Sequence, residues 1–374
     1  MTLEVGGVAR RPRVNLNALL IEGRAFLALV LAVVIFSLLS PHFLTGDNLI
    51  LMTRHVAINA TVAIGLLMVI LNGGIDLSVG SIVGLSGVVS GYLLQGWNIP
   101  FTDRTAYLPV WAVVIVSLIV GASIGLVNGF LIARLKIAPF IATLGMLYVA
   151  RGLALVITNG VTFNDLRGEP QLGNTGFVRY LASRPLGIPM PIWVMGAFAI
   201  IFSLLLNRTP FGRWLYATGS NERAAELSGV PVRRVKIWVY VFSGICAAAV
   251  GMLLAADLPA ATPRGGEFYE LNAIAAVVMG GAALSGGRGT VRGTLIGAFL
   301  IGFLVDGLVL VGVSVFWQQV IKGAVIILAV AVDQAQQTLH RHRAGAKAVR
   351  AASGGPPDPP DRAVTIQQQK VTVT

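Results

Sequence analysis

Between two long apolar runs lies the segment from Leu71 to Gly91, LNGGIDLSVGSIVGLSGVVSG. It holds the carboxylate of Asp76, the carboxamide of Asn72 and the hydroxyls of Ser78, Ser81 and Ser86. Glycines stand at 73, 74, 80, 84, 87 and 91. No nucleophile has a base beside it, so the chemistry available is hydrogen bonding. Two uses compete for Asp76: contact with a polar solute, or capping of a helix. Capping is the simpler. Gly73 and Gly74 permit positive φ and stop the first helix. Asp76 and Ser78 offer acceptors to the free N–H groups that open the next. Gly80/Gly84 and Gly87/Gly91 then put small residues on one face, where another backbone can approach.

A second set of groups sits inside apolar runs, where charge needs a partner or a wet path. Asp306 and Lys322 each lie eight residues from Ser314, in the turn of the last hairpin. Equal depth on adjacent helices predicts a structural ion pair. Arg151 has no partner visible in sequence. It lines a path, or it snorkels to the outer interface. Arg54 and His55 read as interfacial. The single cysteine, Cys246, excludes an intrachain disulfide, and four histidines provide no metal-ligand cluster.

These groups need elements to hold them. The 374 residues are 55% hydrophobic and 12% charged, with mean hydropathy +0.79. Soluble domains carry roughly 25% charge. Apolar runs of near-spanning length recur from end to end, which implies an all-α polytopic membrane protein of about ten transmembrane helices. The expected spans are 25–39, 49–71, 78–94, 109–132, 137–157, 192–206, 237–256, 271–284, 291–311 and 315–332. A polar segment, 1–24, precedes this 25–333 domain. A basic start before an apolar run fits a signal peptide, but no small-x-small cleavage site follows, so an uncleaved first span is expected. The insertion 158–189 and the basic stretch 207–236 are the long polar breaks. Residues 334–374, with Pro356-Pro357-Asp358-Pro359-Pro360, read as a disordered tail.

An even number of spans puts both termini on one side. With that side cytoplasmic, 20 of the 28 Lys and Arg lie inside, five outside and three within helices. This bias orients the chain and accounts for the net charge of +12 without nucleic acid. Gly121, Gly125 and Gly129 in the fourth span match the spacing of Gly289, Gly293 and Gly297 at the ninth. A five-plus-five inverted repeat would produce this, and so would ordinary small-residue packing.

Two motifs face the cytoplasm. Leu284-Ser285-Gly286-Gly287-Arg288 resembles the signature of ABC ATPases, yet the chain has no GxxxxGK[ST] phosphate loop, so it reads as a glycine turn. In 207–236, Ser220 or Asn221 caps a short helix that Gly229 ends. So short a helix must dock on something: a partner, or anionic lipid.

NGGIDLSVGS, at 72–81, resembles the membrane subunit of ribose-type ABC sugar importers. The resemblance spans about residues 25–333 and rests on three blocks. They are Asn72 to Ser81, Gly125 to Arg151 (with Asn128-Gly129 and 138–145, APFIATLG), and Ala217 to Gly251. In the third, AxGxNxxAAxLxG is met by Ala217, Gly219, Asn221, Ala224, Ala225, Leu227 and Gly229. ABC permeases in general carry an EAA loop with glycine four residues on. Here Arg223 replaces the glutamate, with Glu222 beside it. The resemblance implies that this loop docks in a cleft of an ATPase. It also implies a second permease subunit, identical or not, and a periplasmic sugar-binding protein. ATP is then bound by the partner, and this chain carries no cofactor and is no enzyme. Asn72, Asp76, Ser78, Asn128 and Arg151 become candidates for the path of a monosaccharide or polyol. The competing reading is an ion-coupled secondary transporter. It would need a titrating intramembrane carboxylate, Asp306 or Asp76, and has no use for the docking loop.

Overall fold

The long apolar runs fold as helices, and the glycine- and proline-rich segments between them set the breaks. The computed structural model describes residues 23–98, 105–328 and 331. The expected cytoplasmic segment 1–24 falls almost wholly outside them, and the tail 334–374 entirely so. The chain divides into two units, 1–323 and 324–374. Of the second, the described residues 324–328 and 331 are helical.

The helices are α1 (Arg24–Leu39), α2 (Gly46–Leu71), α3 (Val79–Gln95), α4 (Val110–Ala133), α5 (Pro139–Thr158), α6 (Phe177–Leu181), α7 (Met190–Arg208), α8 (Pro210–Ser220), α9 (Glu222–Leu227), α10 (Val232–Asp257), α11 (Tyr269–Met279) and α12 (Val291–Leu310). A last helix, α13, runs over Val315–Leu328. Each expected span contains a helix. Six (α2, α4, α5, α7, α10 and α12) are long and apolar enough to cross a membrane, and α1, α3, α11 and α13 are shorter apolar helices.

Two expected boundaries move. α10 begins at Val232, so Arg233, Arg234 and Lys236 form its first turns instead of a loop. α11 ends at Met279, five residues early, because Gly280 and Gly281 (φ +90°) turn the chain.

α2 and α10, the longest helices, are deeply enclosed, with nearly every residue of 56–71 and 239–256 buried. They cross where a Cβ on Gly65 would stand 2.8 Å from Cys246 Cβ. α4 reverses the soluble pattern. Its buried positions are mostly small or polar (Ser117, Gly121, Gly125, Asn128, Gly129), while Trp111, Ile119 and Phe130 point outward. In lipid, large apolar groups gain nothing by leaving the surface, and close backbone contact holds helices together. Gly121, Gly125 and Gly129 lie against the α10 backbone at Gly244, Tyr240 and Ile237. Gly293 and Gly297 of α12 instead meet Gly280 and Ala276 around the end of α11, and Gly289 lies in the preceding turn. The two glycine sets therefore face non-equivalent partners.

The insertion 158–189 is built, not loose. Leu166 and Phe177 are fully buried, and buried Asn174 donates to the Leu94 carbonyl at 2.7 Å. Strand β1 (Trp97–Asn98) pairs antiparallel with β2 (Thr105–Ala106), and β3 (Phe163–Asn164) pairs antiparallel with β4 (Ala260–Ala261). The second pair ties the insertion to the segment after α10.

Candidate functional site

The turn between α2 and α3 is where the polar candidates converge. Gly73 takes φ +78°, and the Gly73 and Gly74 amides close back on Ile70 and Val69. Asp76 follows, fully buried. Its Oδ1 accepts the Ser78 amide at 3.0 Å and the Ser78 hydroxyl at 2.6 Å, and its Oδ2 accepts the Ser243 hydroxyl of α10 at 2.9 Å. Asn128 of α4 donates Nδ2 to Ser78 Oγ at 2.9 Å. Asp76, Ser78 and Asn128 thus form one buried network that pins the inner end of α3 to α4 and α10. Neither side chain caps α3 as sequence expects: Ser78 is the residue before the helix and makes no side-chain cap bond, and Asp76 instead takes the Ser78 amide and hydroxyl, while Ser78 bridges to Asn128. Asn72, at the end of α2, is half-buried and outside this network, and its Oδ1 has no partner among the described residues.

Ser243 and Tyr240 are the members that sequence reading misses. Both are lone polar residues in an apolar run. Tyr240 is fully buried against Gly74, where a Cβ would meet its hydroxyl.

Arg151 lies elsewhere and has partners. Its Nη1 donates to the carbonyls of Pro263 and Gly265, the latter at 3.1 Å. Those carbonyls belong to residues 258–268, which turn back into the helix layer and run along the glycine face of α3. Gly80 meets the Gly266 carbonyl, Gly84 those of Gly265 and Pro263, and Gly91 the Ala261 side chain. Gly87 faces Gly251 of α10 instead. The small-residue face read in sequence is thus shared between two partners. A cavity of about 190 Å³ lies here, lined by Gly84, Gly251, Leu254, Thr262, Gly265 and Tyr269 among others.

The expected pair between Asp306 and Lys322 does not form. Asp306 Oδ1 stands 3.3 Å from His55 Nδ1, and no ion pair of Lys322 occurs among the described residues. Equal depth on adjacent helices leaves azimuth free, and Asp306 turns toward α2. Arg54, its neighbour, pairs with Asp257 at the end of α10. Both residues read as interfacial are therefore held by acids.

On the opposite side, α8, α9 and the turns 72–74 and 284–289 meet. Asn221 caps α9 by accepting the Ala224 amide at 3.0 Å, while the Ser220 hydroxyl bonds back to Tyr216. Gly229 (φ +81°) ends α9 with free space around it. Glu222, Arg223, Ala224 and Leu227 are exposed, and Ala225 is buried. Lys236 Nζ lies 2.7 Å from both Glu222 oxygens, tethering α9 to α10. Gly219 is wedged against the Leu71 carbonyl and the Gly287 amide. Tyr216 donates its hydroxyl to the Gly289 carbonyl at 2.8 Å, and burial raises the pKa of that phenol. Ser285-Gly286-Gly287 is thus a turn packed on α8, as expected of a structural linker.

The model of the family described as branched-chain amino acid transport system / permease component matches residues 48–330. The ribose import permease protein of Escherichia coli strain K12 is 41% identical over 328 residues, covering 86% of this chain and 96% of its own length. That of Bacillus subtilis strain 168 is 46% identical over 324 residues, covering 86% and 95%. The xylose transport system permease protein of Escherichia coli K12 is 32% identical over 379 residues, covering 86% and 94%. The comparison with solved structures gave no match.

Proposed function

This chain belongs to the branched-chain amino acid transport system / permease component family, and from that premise we propose that it forms the membrane path for a pentose or a related polyol. It is the multi-pass inner-membrane permease subunit of an ABC sugar importer, a transport component and not an enzyme. The observation that carries the reading is the match to ribose import permeases over nearly their whole length.

The family works with an ATPase and a substrate-binding protein. In our reading ATP is bound and hydrolysed on the partner chain. The contact is α9: Gly219, Asn221, Glu222, Ala224, Ala225, Leu227 and Gly229 form or frame it. Three features support this. α9 is capped at both ends, it exposes Leu227 to 75%, and it is tethered at Glu222, so it presents a stiff edge. A second permease subunit completes the path, and the binding protein lands on the insertion 158–189. Asn72 and Arg151 line or frame the path. Asp76, Ser78 and Asn128 are the lock that fixes the inner end of α3 beside it. The two enclosed helices α2 and α10 are the second and seventh of the spans expected from sequence, which supports a five-plus-five inverted repeat.

Affinity purification of the detergent-solubilised chain tests this. An ATPase should co-purify with wild type and be lost with Gly229→Asp, a change that meets no internal atom and strains only the left-handed turn that ends α9. Co-purification of an ATPase with neither form, together with ion-gradient-driven uptake by the chain alone, would overturn the reading.

A further inference from the structure

The segment 258–268 carries a feature that the network around Asp76 does not explain. Its tip, Arg264-Gly265-Gly266-Glu267-Phe268, exposes two charged side chains, Arg264 and Glu267, beside the exposed ring of Phe268, at a depth where lipid does not accommodate charge. The depth follows from its neighbours. Gly265 and Pro263 lie against Gly84, which is eleven residues, or about 16 Å at 1.5 Å per residue, below the outer end of α3 at Gln95. Arg151, which holds the same carbonyls, is seven residues, or about 10 Å, below the end of α5 at Thr158. Both positions are well inside a hydrocarbon layer roughly 30 Å thick. Arg264 and Glu267 are exposed there, next to Phe268, which is 54% exposed. Charged groups at that depth face water or a partner, not lipid.

Phe268 is also held in an unfavourable backbone state. Its φ is +66°, a region that bulky L residues avoid. The segment fixes it there from both sides. Arg151 clamps the two carbonyls before it. The Asn272 amide bonds to its own carbonyl at 3.2 Å, starting α11. Gly266 beside it (φ +73°) has no room for a side chain, because a Cβ would stand 2.7 Å from Val83. An exposed ring on a fixed backbone, next in sequence to the Glu267 carboxylate and four residues from the Arg264 guanidinium, suits a ligand having an apolar C–H face and a rim of hydroxyls. That is the chemistry of a sugar ring.

We propose that Phe268 and Glu267, presented by the Arg151-clamped segment, are sugar-contacting residues of the translocation path. The ring stacks on the C–H face of the solute, and the Glu267 carboxylate accepts its hydroxyl protons. This rests on the importer reading above and adds to it residues that the matched family does not itself assign.

The test uses the reconstituted importer, with its ATPase and binding protein, in liposomes. Phe268→Cys is treated from outside with a charged, membrane-impermeant thiosulfonate reagent. The native Cys246 is fully buried and stays silent, and Ile200→Cys on the outward face of α7 is the lipid-facing reference. Expected is modification of Phe268→Cys that slows when ribose-loaded binding protein and ATP are present. Phe268→Ala and Glu267→Gln should each lower ribose moved per ATP by about twofold to tenfold. Phe268→Cys as inert as Ile200→Cys would overturn the proposal. So would modification indifferent to ribose with an unchanged ribose-to-ATP ratio, which would assign the tip to a contact with a second copy of this chain. Failure of the importer reading looks different: wild type itself would show no ATP-dependent ribose or xylose uptake, whatever the labelling result.

Discussion

The Gly287 amide donates to the Leu71 carbonyl at 2.9 Å, and Gly219 of α8 is wedged against the same two groups. Three strands of chain therefore meet at one backbone contact. They are the end of α2, the turn between α11 and α12, and the helix leading into α9. Movement of α8 has no slack to absorb it before it reaches the turn that carries Asp76.

Gly219→Ala places a methyl on the Leu71 carbonyl. Overpacking of this kind costs about 1–3 kcal/mol, so the melting temperature in detergent should fall. Where the variant assembles, ATPase stimulation by sugar-loaded binding protein should drop more than basal ATPase. Equal loss of both would mean that the contact is structural only.

Removing Asp76 should be costlier than removing any one of its donors. Asp76→Ala leaves the Ser78 amide, the Ser78 hydroxyl and the Ser243 hydroxyl unpaired, at about 1–3 kcal/mol for each buried orphan. Ser243→Ala removes one donor and should cost about 1 kcal/mol. Unfolding midpoints of the purified variants give the order. A Ser243→Ala loss as large as that of Asp76→Ala would refute the network.

Arg151→Lys keeps the charge on a shorter side chain, which does not carry a donor as far as Nη1, the one nitrogen that reaches both carbonyls. Amide hydrogens of 260–268 should exchange faster by about tenfold or more, one charge-assisted hydrogen bond's worth. Hydrogen–deuterium exchange read by mass spectrometry measures this directly, and unchanged protection would remove Arg151 as the clamp.

Glycines on α4 and α5 should behave oppositely. Gly125 lies on the Tyr240 backbone, whereas Gly145 has no atom near its Cβ position. Gly125→Leu should abolish accumulation of folded protein, and Gly145→Leu should leave subunit stability unchanged. Membrane expression and thermal stability settle the contrast.

These outcomes also indicate what a sequence can disclose. The helix stop at Gly73, the Asp76–Ser78 turn that leads into α3, the glycine face of α3 and the Asn221–Gly229 helix are local. Each depends on residue types a few positions apart, and each is legible. The acceptors of Arg151 are backbone carbonyls more than a hundred residues away, which no pattern of side chains records. The partner of Asp306 depends on azimuth, which equal depth leaves open. Residues 258–268 contain Pro259, Pro263, Gly265 and Gly266, composition that reads as a surface turn. Their place beside Gly80 and Gly84 depends on α3 offering room, a match of two distant segments. Ser243 is invisible for the same reason, its partner Asp76 lying in a distant turn, and Tyr240 shows its place only through its packing on Gly74.

The pairing of Phe163–Asn164 with Ala260–Ala261 has a mechanical consequence. The outer insertion and the segment bearing Phe268 are one lever, hinged where that segment runs along α3. A load applied from outside at 158–189 bends the tip held by Arg151, several turns deeper, without passing through any long helix. A cargo carrier landing on the insertion, as proposed above, would therefore be felt at the Phe268 tip before any helix has to tilt.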